Sequence, residues 1–110
     1  MKTVSFLKDI EYNEKKPAVR LLLETDFSKE IQIVFQRNQL MKDHKAPFPI
    51  TVQILQGSID FGVLGEIKQL QTGDLISLEA GVIHNLVAVE NSVVRLTLSK
   101  FDTINRVKNV

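Results

Sequence analysis

The chain has 110 residues, of which 44% are hydrophobic and 25% are charged, and its formal net charge is +1. This length fits one domain with a core of its own, and this composition excludes an intrinsically disordered chain. The small net charge gives no whole-chain signature of nucleic-acid binding. The absence of cysteine excludes a disulfide framework, a thiolate zinc site and a cysteine nucleophile.

No segment approaches the run of about 18 apolar residues that a membrane-spanning helix requires. The N-terminus carries a short apolar patch between Lys2 and Lys8, which is too short for the hydrophobic region of a signal peptide. The sequence therefore predicts a cytoplasmic protein with no membrane partner and no nucleic-acid partner.

Charge is distributed unevenly along the chain. Residues 1–45 carry nine basic and seven acidic side chains, residues 46–94 carry one basic and five acidic ones, and residues 95–110 carry four basic and one acidic. The middle of the chain is apolar and mildly acidic, so it offers no phosphate-binding surface. The basic C-terminus, with Lys100, Arg106 and Lys108, is typical of a solvated end, and the alternative interpretation is an interaction tail.

Several segments alternate between apolar and polar or small residues with the period of two that is typical of half-buried strands. Their apolar positions are Ile31, Ile33 and Phe35; Ile50, Val52 and Ile54; Ile59, Phe61 and Val63; and Val94, Leu96 and Leu98. Turn residues separate these runs at intervals of about 8–12 residues, which predicts an antiparallel all-β sandwich or barrel. The best helix candidate is the tail after Leu98.

Near the N-terminus, Leu21, Leu22 and Leu23 are apolar on both faces of one predicted strand. A strand of this kind is normally buried on both sides, which a lone small barrel rarely achieves. The sequence therefore predicts a homodimer in which this segment is covered.

The two histidines of the chain fall in two segments with informative spacing. In the second segment, Gly73, Gly81 and His84 follow the pattern glycine, five residues, proline, one residue, glycine, two residues, histidine, with Glu79 at the proline position. An asparagine is expected four positions after the histidine, where this chain has Ala88. In the first segment, His44 and Gly57 fit a pattern of two histidines, a glutamate and a glycine, whereas Ala46 and Ile50 occupy the second histidine and glutamate positions.

These segments resemble the two signature motifs of the cupin superfamily, and the chain resembles a small single-domain cupin over about residues 30–99. The resemblance implies a double-stranded β-helix, or jelly-roll, barrel spanning residues 1–110. Residues 1–29 would then form N-terminal strands or a dimer arm, residues 30–99 the barrel and residues 100–110 a tail. Independently of the resemblance, Gly57, Gly73 and Gly81 suit positions that need positive φ or close backbone approach.

In metal-binding cupins, three histidines and a glutamate hold iron, manganese, nickel, copper or zinc. The resemblance therefore implies His44 and His84 as candidate metal ligands, in a site that binds weakly because two ligand positions are lost. Three interpretations of the histidines remain open: metal ligands, walls of a metal-free pocket, or structural residues that each donate one hydrogen bond to a carbonyl group.

The function hypothesis favoured by the sequence is a stand-alone binding module that holds a small molecule in the barrel, because Ile50 makes the pocket apolar. Its predicted pocket residues are Ile50, Val52, Leu78 and Leu86, and no catalytic residue is predicted. The alternatives are a metal-dependent enzyme of the dioxygenase or isomerase type, and a structural homodimer with a filled barrel.

Overall fold

The chain folds into nine strands and one short helix, and the computed structural model describes residues 1–110. The strands are β1 (Ala18–Glu24), β2 (Ser28–Phe35), β3 (Leu40–His44), β4 (Ile50–Gln56), β5 (Ser58–Val63), β6 (Glu66–Gln71), β7 (Leu75–Leu78), β8 (His84–Ala88) and β9 (Ser92–Ser99), and the helix is α1 (Ile104–Lys108). The predicted all-β class is confirmed. The helix lies in the tail that the sequence marked as the best helical candidate.

Two antiparallel sheets form the molecule. One has five strands in the order β1-β2-β9-β4-β7, and the other has four in the order β3-β8-β5-β6. The predicted alternation places branched and aromatic side chains between the sheets, where Ile31, Phe35, Ile54, Ile59 and Phe61 are fully buried. This arrangement is the predicted double-sheet barrel, because apolar side chains of both sheets pack into one shared core.

The N-terminal segment lies on the outer face of the five-stranded sheet. The side-chain amide of Gln32 donates to the backbone carbonyl of Phe6 at 2.9 Å, and the guanidinium of Arg95 lies 5.9 Å from the Phe6 ring centre. Strand β1 pairs with β2, and β2 begins at Ser28, so part of the segment 1–29 belongs to the barrel itself. This covering explains why the outward-facing Gln32 is almost fully buried.

Strand β1 is an edge strand of the five-stranded sheet. Its pairing with β2 shifts register between Leu21 and Leu23. Leu21 is 39% exposed in the single chain, while Leu22 and Leu23 are half-buried. The two-sided apolar strand is thus only partly covered within one chain.

Helix α1 ends the chain close to the barrel. Thr103 caps it by accepting a hydrogen bond from the backbone amide of Arg106, and Val107 packs into the hydrophobic core. The expectation of a solvated basic end is wrong for Arg106, because Asp102, four residues earlier, is buried and forms an ion pair with it. The helix has five residues, and the structure contains no helix capable of crossing a bilayer.

Gly57 joins β4 to β5 at a φ of +106°, and Gly73 and Gly81 also have positive φ. A Cβ atom added to Gly57 would lie 2.2 Å from the Ser92 hydroxyl oxygen and 2.6 Å from the Asn91 carbonyl oxygen. The hairpin therefore requires glycine at position 57 for two reasons, the backbone conformation and the close approach of the loop before β9.

We expect Gly57→Ala to lower the free energy of unfolding by about 2 kcal/mol more than Gly65→Ala. Gly65 also has positive φ, at +74°, but a Cβ atom there would contact nothing within 4 Å, so it controls for backbone strain. Urea unfolding followed by circular dichroism measures both variants. Equal free energies of unfolding for the two variants would show that the close approach of Ser92 and Asn91 to position 57 does not affect stability.

Candidate functional site

A narrow cavity lies between the two sheets, at the end of the barrel next to α1. Its walls are mostly aliphatic, and three polar side chains reach it, those of His44, His84 and Arg106. The full set of lining residues is Ile33, Met41, His44, Ile50, Val52, His84, Leu86, Leu96, Arg106 and Val107. An apolar cavity with a few convergent polar groups is the usual form of a ligand site.

A β-bulge brings the two histidines together. Strand β3 pairs with β8 at Met41 opposite Leu86 and at His44 opposite His84, so between these pairs two residues of β3 lie opposite one residue of β8. The extra residue changes the side-chain alternation, and His44 consequently faces the barrel on the same side as Met41. Asp43 faces away and accepts a hydrogen bond from Asn85 at 2.7 Å, as the parity of adjacent strand residues predicts.

Each imidazole is held by its Nδ1 atom. The Nδ1 of His44 lies 2.6 Å from the carbonyl oxygen of Lys42, and the Nδ1 of His84 lies 2.9 Å from that of Val82. Because a carbonyl can only accept, each Nδ1 carries the hydrogen in the neutral ring, and each Nε2 is left as an acceptor.

Neither Nε2 atom has a hydrogen-bond partner within the chain. Every side-chain nitrogen or oxygen atom that is sealed from solvent does have such a partner. Both Nε2 atoms are therefore accessible to water, and both side chains line the cavity. The predicted structural role, one hydrogen bond from each ring to a carbonyl, uses only one of the two nitrogens of each ring.

Ring packing fixes the orientation of the pair. The centres of the His44 and His84 rings are 4.2 Å apart and the rings are tilted by 59°. His84 stacks on Phe61, with ring centres 5.5 Å apart and planes within 8° of parallel. A stacked and hydrogen-bonded ring has little rotational freedom, so its Nε2 presents a lone pair in a fixed direction.

Both histidines are neutral at pH 7, because burial lowers the pKa of each below 6.5. The carbonyl groups of Lys42 and Val82 oppose this by raising the pKa of His44 and His84 respectively. The positive charge of Arg106 lowers the pKa of both rings further, and it outweighs the opposing effect of Asp43.

Arg106 is the polar residue of the site that the sequence analysis missed. Its Nε donates to one carboxylate oxygen of Asp102 at 2.8 Å and its Nη2 to the other at 2.7 Å. Asp102 is 2% exposed and also accepts a hydrogen bond from the backbone amide of Thr103. A buried bidentate pair of this kind holds the guanidinium in one position.

Three of the four predicted pocket residues, Ile50, Val52 and Leu86, line the cavity. Leu78 is buried and pairs with Ile50 across β7 and β4, but it is not part of the cavity wall. Phe48 packs against Phe101, with ring centres 5.9 Å apart, and so connects the loop between β3 and β4 with the segment before α1.

The donor set does not fit a metal ion held by protein ligands. His44 and His84 supply two ligands, and nowhere in the chain do three His, Cys, Asp or Glu side chains group as a metal site would need. Ala46 and Ile50 are buried and have no donor atom, and the guanidinium of Arg106 adds a positive charge to the same cavity. A third protein ligand and a nearby negative charge are what a borderline transition metal would require here.

The cavity itself is small, with a volume of about 20 Å³. This is room for about one water molecule. Any larger ligand therefore requires part of the wall to move.

The sequence matches no protein-family model, and no curated protein matches it significantly. Solved structures do match. An RmlC-like cupin from Desulfovibrio desulfuricans superposes with a TM-score of 0.80 at 18% identity, covering 90% of this chain and 96% of the other. A conserved protein of unknown function from Streptococcus pyogenes superposes with a TM-score of 0.77 at 22% identity, covering 93% and 90%.

A third structure, KdgF from Halomonas sp., superposes with a TM-score of 0.71 at 21% identity, and the match covers 88% of this chain and 94% of KdgF. At identities this low, the superpositions show the fold alone, and that fold agrees with the strand order and the motif spacing described above. The chain therefore has the fold of a small single-domain cupin.

Proposed function

We propose that this protein binds a small organic molecule in its barrel, at the cavity lined by His44, His84 and Arg106. The observation that carries the proposal is the convergence of two unpartnered imidazole acceptors and one guanidinium donor on an aliphatic cavity. Burying unpartnered acceptors costs free energy that apolar residues of the same size would not, so ring packing alone does not account for two histidines here.

Access to this site requires movement of α1. The cavity walls on the strands are held by backbone hydrogen bonds within the two sheets, whereas the wall formed by Arg106 and Val107 belongs to a five-residue helix at the end of the chain. Short terminal elements open at lower free energy than central strands. Outward displacement of α1 enlarges the cavity without disturbing the sheets.

Two further functions compete with this proposal. A structural homodimer with a filled barrel is favoured by the small volume of the cavity. A metal-dependent enzyme is favoured by the two free Nε2 atoms, since a histidine ligand typically donates through its other nitrogen to a carbonyl group. Such a function would need ligands from water or substrate, because His44 and His84 are the only His, Cys, Asp or Glu side chains that line the cavity.

We expect small organic acids, alcohols or amides at millimolar concentration to raise the melting temperature of the full chain. The same compounds should shift the amide NMR signals of residues that line the cavity and of α1. Leu96→Phe, which fills the cavity, should abolish both effects, whereas Leu75→Phe, at a strand position that is 62% exposed, should preserve them.

If no compound in the panel shifts the signals of the wild type, the filled-barrel function is supported instead. Stabilisation by Zn²⁺, Mn²⁺ or Fe²⁺ that disappears in both His44→Ala and His84→Ala would support the metal-dependent function. Circular dichroism of each variant establishes that it is folded before its binding is compared.

We also propose that the protein is a homodimer, because the edge strand β1 leaves Leu21, Leu22 and Leu23 only partly covered in a single chain. Light scattering at tens of micromolar should give a mass close to twice 12.5 kDa. Leu21→Lys should shift the mass to that of a monomer, and Leu64→Lys, at an exposed position in the β5–β6 turn, should not. A monomeric wild type would contradict the proposal.

The lowered histidine pKa values make stability depend on pH. The unfolded chain binds protons to both imidazoles near pH 6.5, and the folded chain does so only at lower pH. Stability is therefore complete above about pH 7 and falls as the pH decreases through and below 6.5. Chemical unfolding at pH values from 7.5 to 5.5 should show this fall, and the double variant H44Q/H84Q should show a smaller one. The same slope in both proteins would contradict the role of the histidines.

A further inference from the structure

The polar groups of the cavity define the chemistry of a ligand that could satisfy them together. Arg106 has five N–H donors in its guanidinium. Two are bound to the Asp102 carboxylate, and a third makes a long contact of 3.5 Å with the carbonyl oxygen of Lys45. Two donors remain, and the side chain that carries them lines the cavity.

The two imidazoles present the opposite chemistry. Because Nδ1 of each ring donates to a backbone carbonyl, Nε2 can only accept. A matching ligand must therefore offer acceptor atoms to Arg106 and a hydrogen-bond donor to His44 or His84. The rest of the wall, including Ile33, Val52 and Leu96, is aliphatic and suits a short hydrocarbon skeleton.

We infer that the ligand is a short aliphatic hydroxycarboxylate. Its carboxylate accepts from the free N–H groups of Arg106, its hydroxyl group donates to the Nε2 of a histidine, and its carbon skeleton contacts the aliphatic wall. This inference rests on the proposed small-molecule function and adds to it the class of ligand. Planar, paired donors on a guanidinium match the geometry of a carboxylate better than any other common anion except phosphate.

The charges around the cavity agree with an anion. Arg106 lines the cavity with both imidazoles, and the effect of its positive charge on both rings is larger than that of the negative charge of Asp43, which points outward. Asp102 is the positioning residue, because its buried carboxylate fixes one edge of the guanidinium and leaves the remaining donors directed elsewhere. A cationic ligand would be repelled by Arg106, and the cavity wall has no carboxylate to pair with such a ligand.

The ligand also accounts for the position of Arg106 on α1. A carboxylate bound to Arg106 is held by the movable wall, while the hydroxyl group is held by strands β3 and β8 that carry the histidines. Binding would connect the two walls of the cavity. A helix shifted outward to make room would thereby be tied to the barrel through the ligand.

The test compares three probes of similar size on the full chain: lactate, propionate and lactamide. Propionate lacks the hydroxyl group, and lactamide replaces the carboxylate by a neutral amide. Isothermal titration calorimetry should give a dissociation constant for lactate at least about tenfold lower than for either analogue, since each analogue leaves one polar group of the site unmatched. At about ten times its dissociation constant, lactate should raise the melting temperature by roughly 5 °C.

Variants identify the residues. Arg106→Lys retains a positive charge but not the paired donors, so it should weaken lactate binding about tenfold. Arg106→Gln leaves Asp102 buried without a partner, so the double variant D102N/R106Q is the safer test, and it should remove the preference for lactate over lactamide. Lys68→Gln, on the exposed strand β6, is the matched control and should bind lactate like the wild type.

Lactamide or propionate binding as well as lactate would overturn the inference. So would lactate binding that persists in D102N/R106Q. If none of the three probes binds while other compounds bind in the cavity, the inference fails and the proposed function stands. If nothing binds in the cavity at all, both fail.

Discussion

The packing of side chains between the two sheets determines the volume and the polarity of the cavity inside the barrel. Strand pairing places Ile50 next to both Leu78 and Leu98, and Val52 next to both Ile76 and Leu96. These aliphatic side chains leave a space of about one water molecule. In a space so small and so apolar, each polar group must have a partner or be within reach of water, because an isolated one costs several kcal/mol. The few polar groups that do reach the cavity therefore determine which hydrogen bonds it can form.

Much of the fold could be predicted from the sequence, and the site only in part. Alternating residues such as Ile59, Phe61 and Val63 predicted the strands correctly, and glycine and histidine spacing predicted the cupin architecture. The inward direction of the His44 side chain could not be derived from alternation. His44 lies three residues after Met41, and two side chains at that spacing face the same side of a strand only because β3 contains a bulge. Arg106 was missed because a basic residue near the chain end resembles a solvated tail. The signal that could have found it is local: Asp102 precedes Arg106 by one helical turn, and the apolar Ile104 and Val107 give that turn a face that can pack.

The residues at the two unmatched motif positions leave the cavity wall without a carboxylate. Where the cupin motif has a glutamate, Ile50 removes a negative charge from the wall, and Ala46 removes a second donor. Helix α1 contributes the guanidinium of Arg106, whose counter-charge, Asp102, is bound through Nε and Nη2 and does not line the cavity. The two histidines remain in place, but their surroundings differ. Next to a carboxylate they would attract a cation, whereas here burial, and to a smaller extent the guanidinium, lowers the pKa of both rings, so they stay neutral and act as hydrogen-bond acceptors.

The two walls of the cavity also differ in how firmly they are held. His44 and His84 belong to paired strands, and His84 is additionally stacked on Phe61. Arg106 and Val107 belong to a five-residue helix that is attached by the Asp102 pair, by the insertion of Val107 and by the contact of Phe101 with Phe48. Local opening follows the weakest contiguous set of contacts, so the helix moves before the strands do. The cavity therefore has a pair of firmly held hydrogen-bond acceptors on one wall and a charged donor on a short terminal helix on the other.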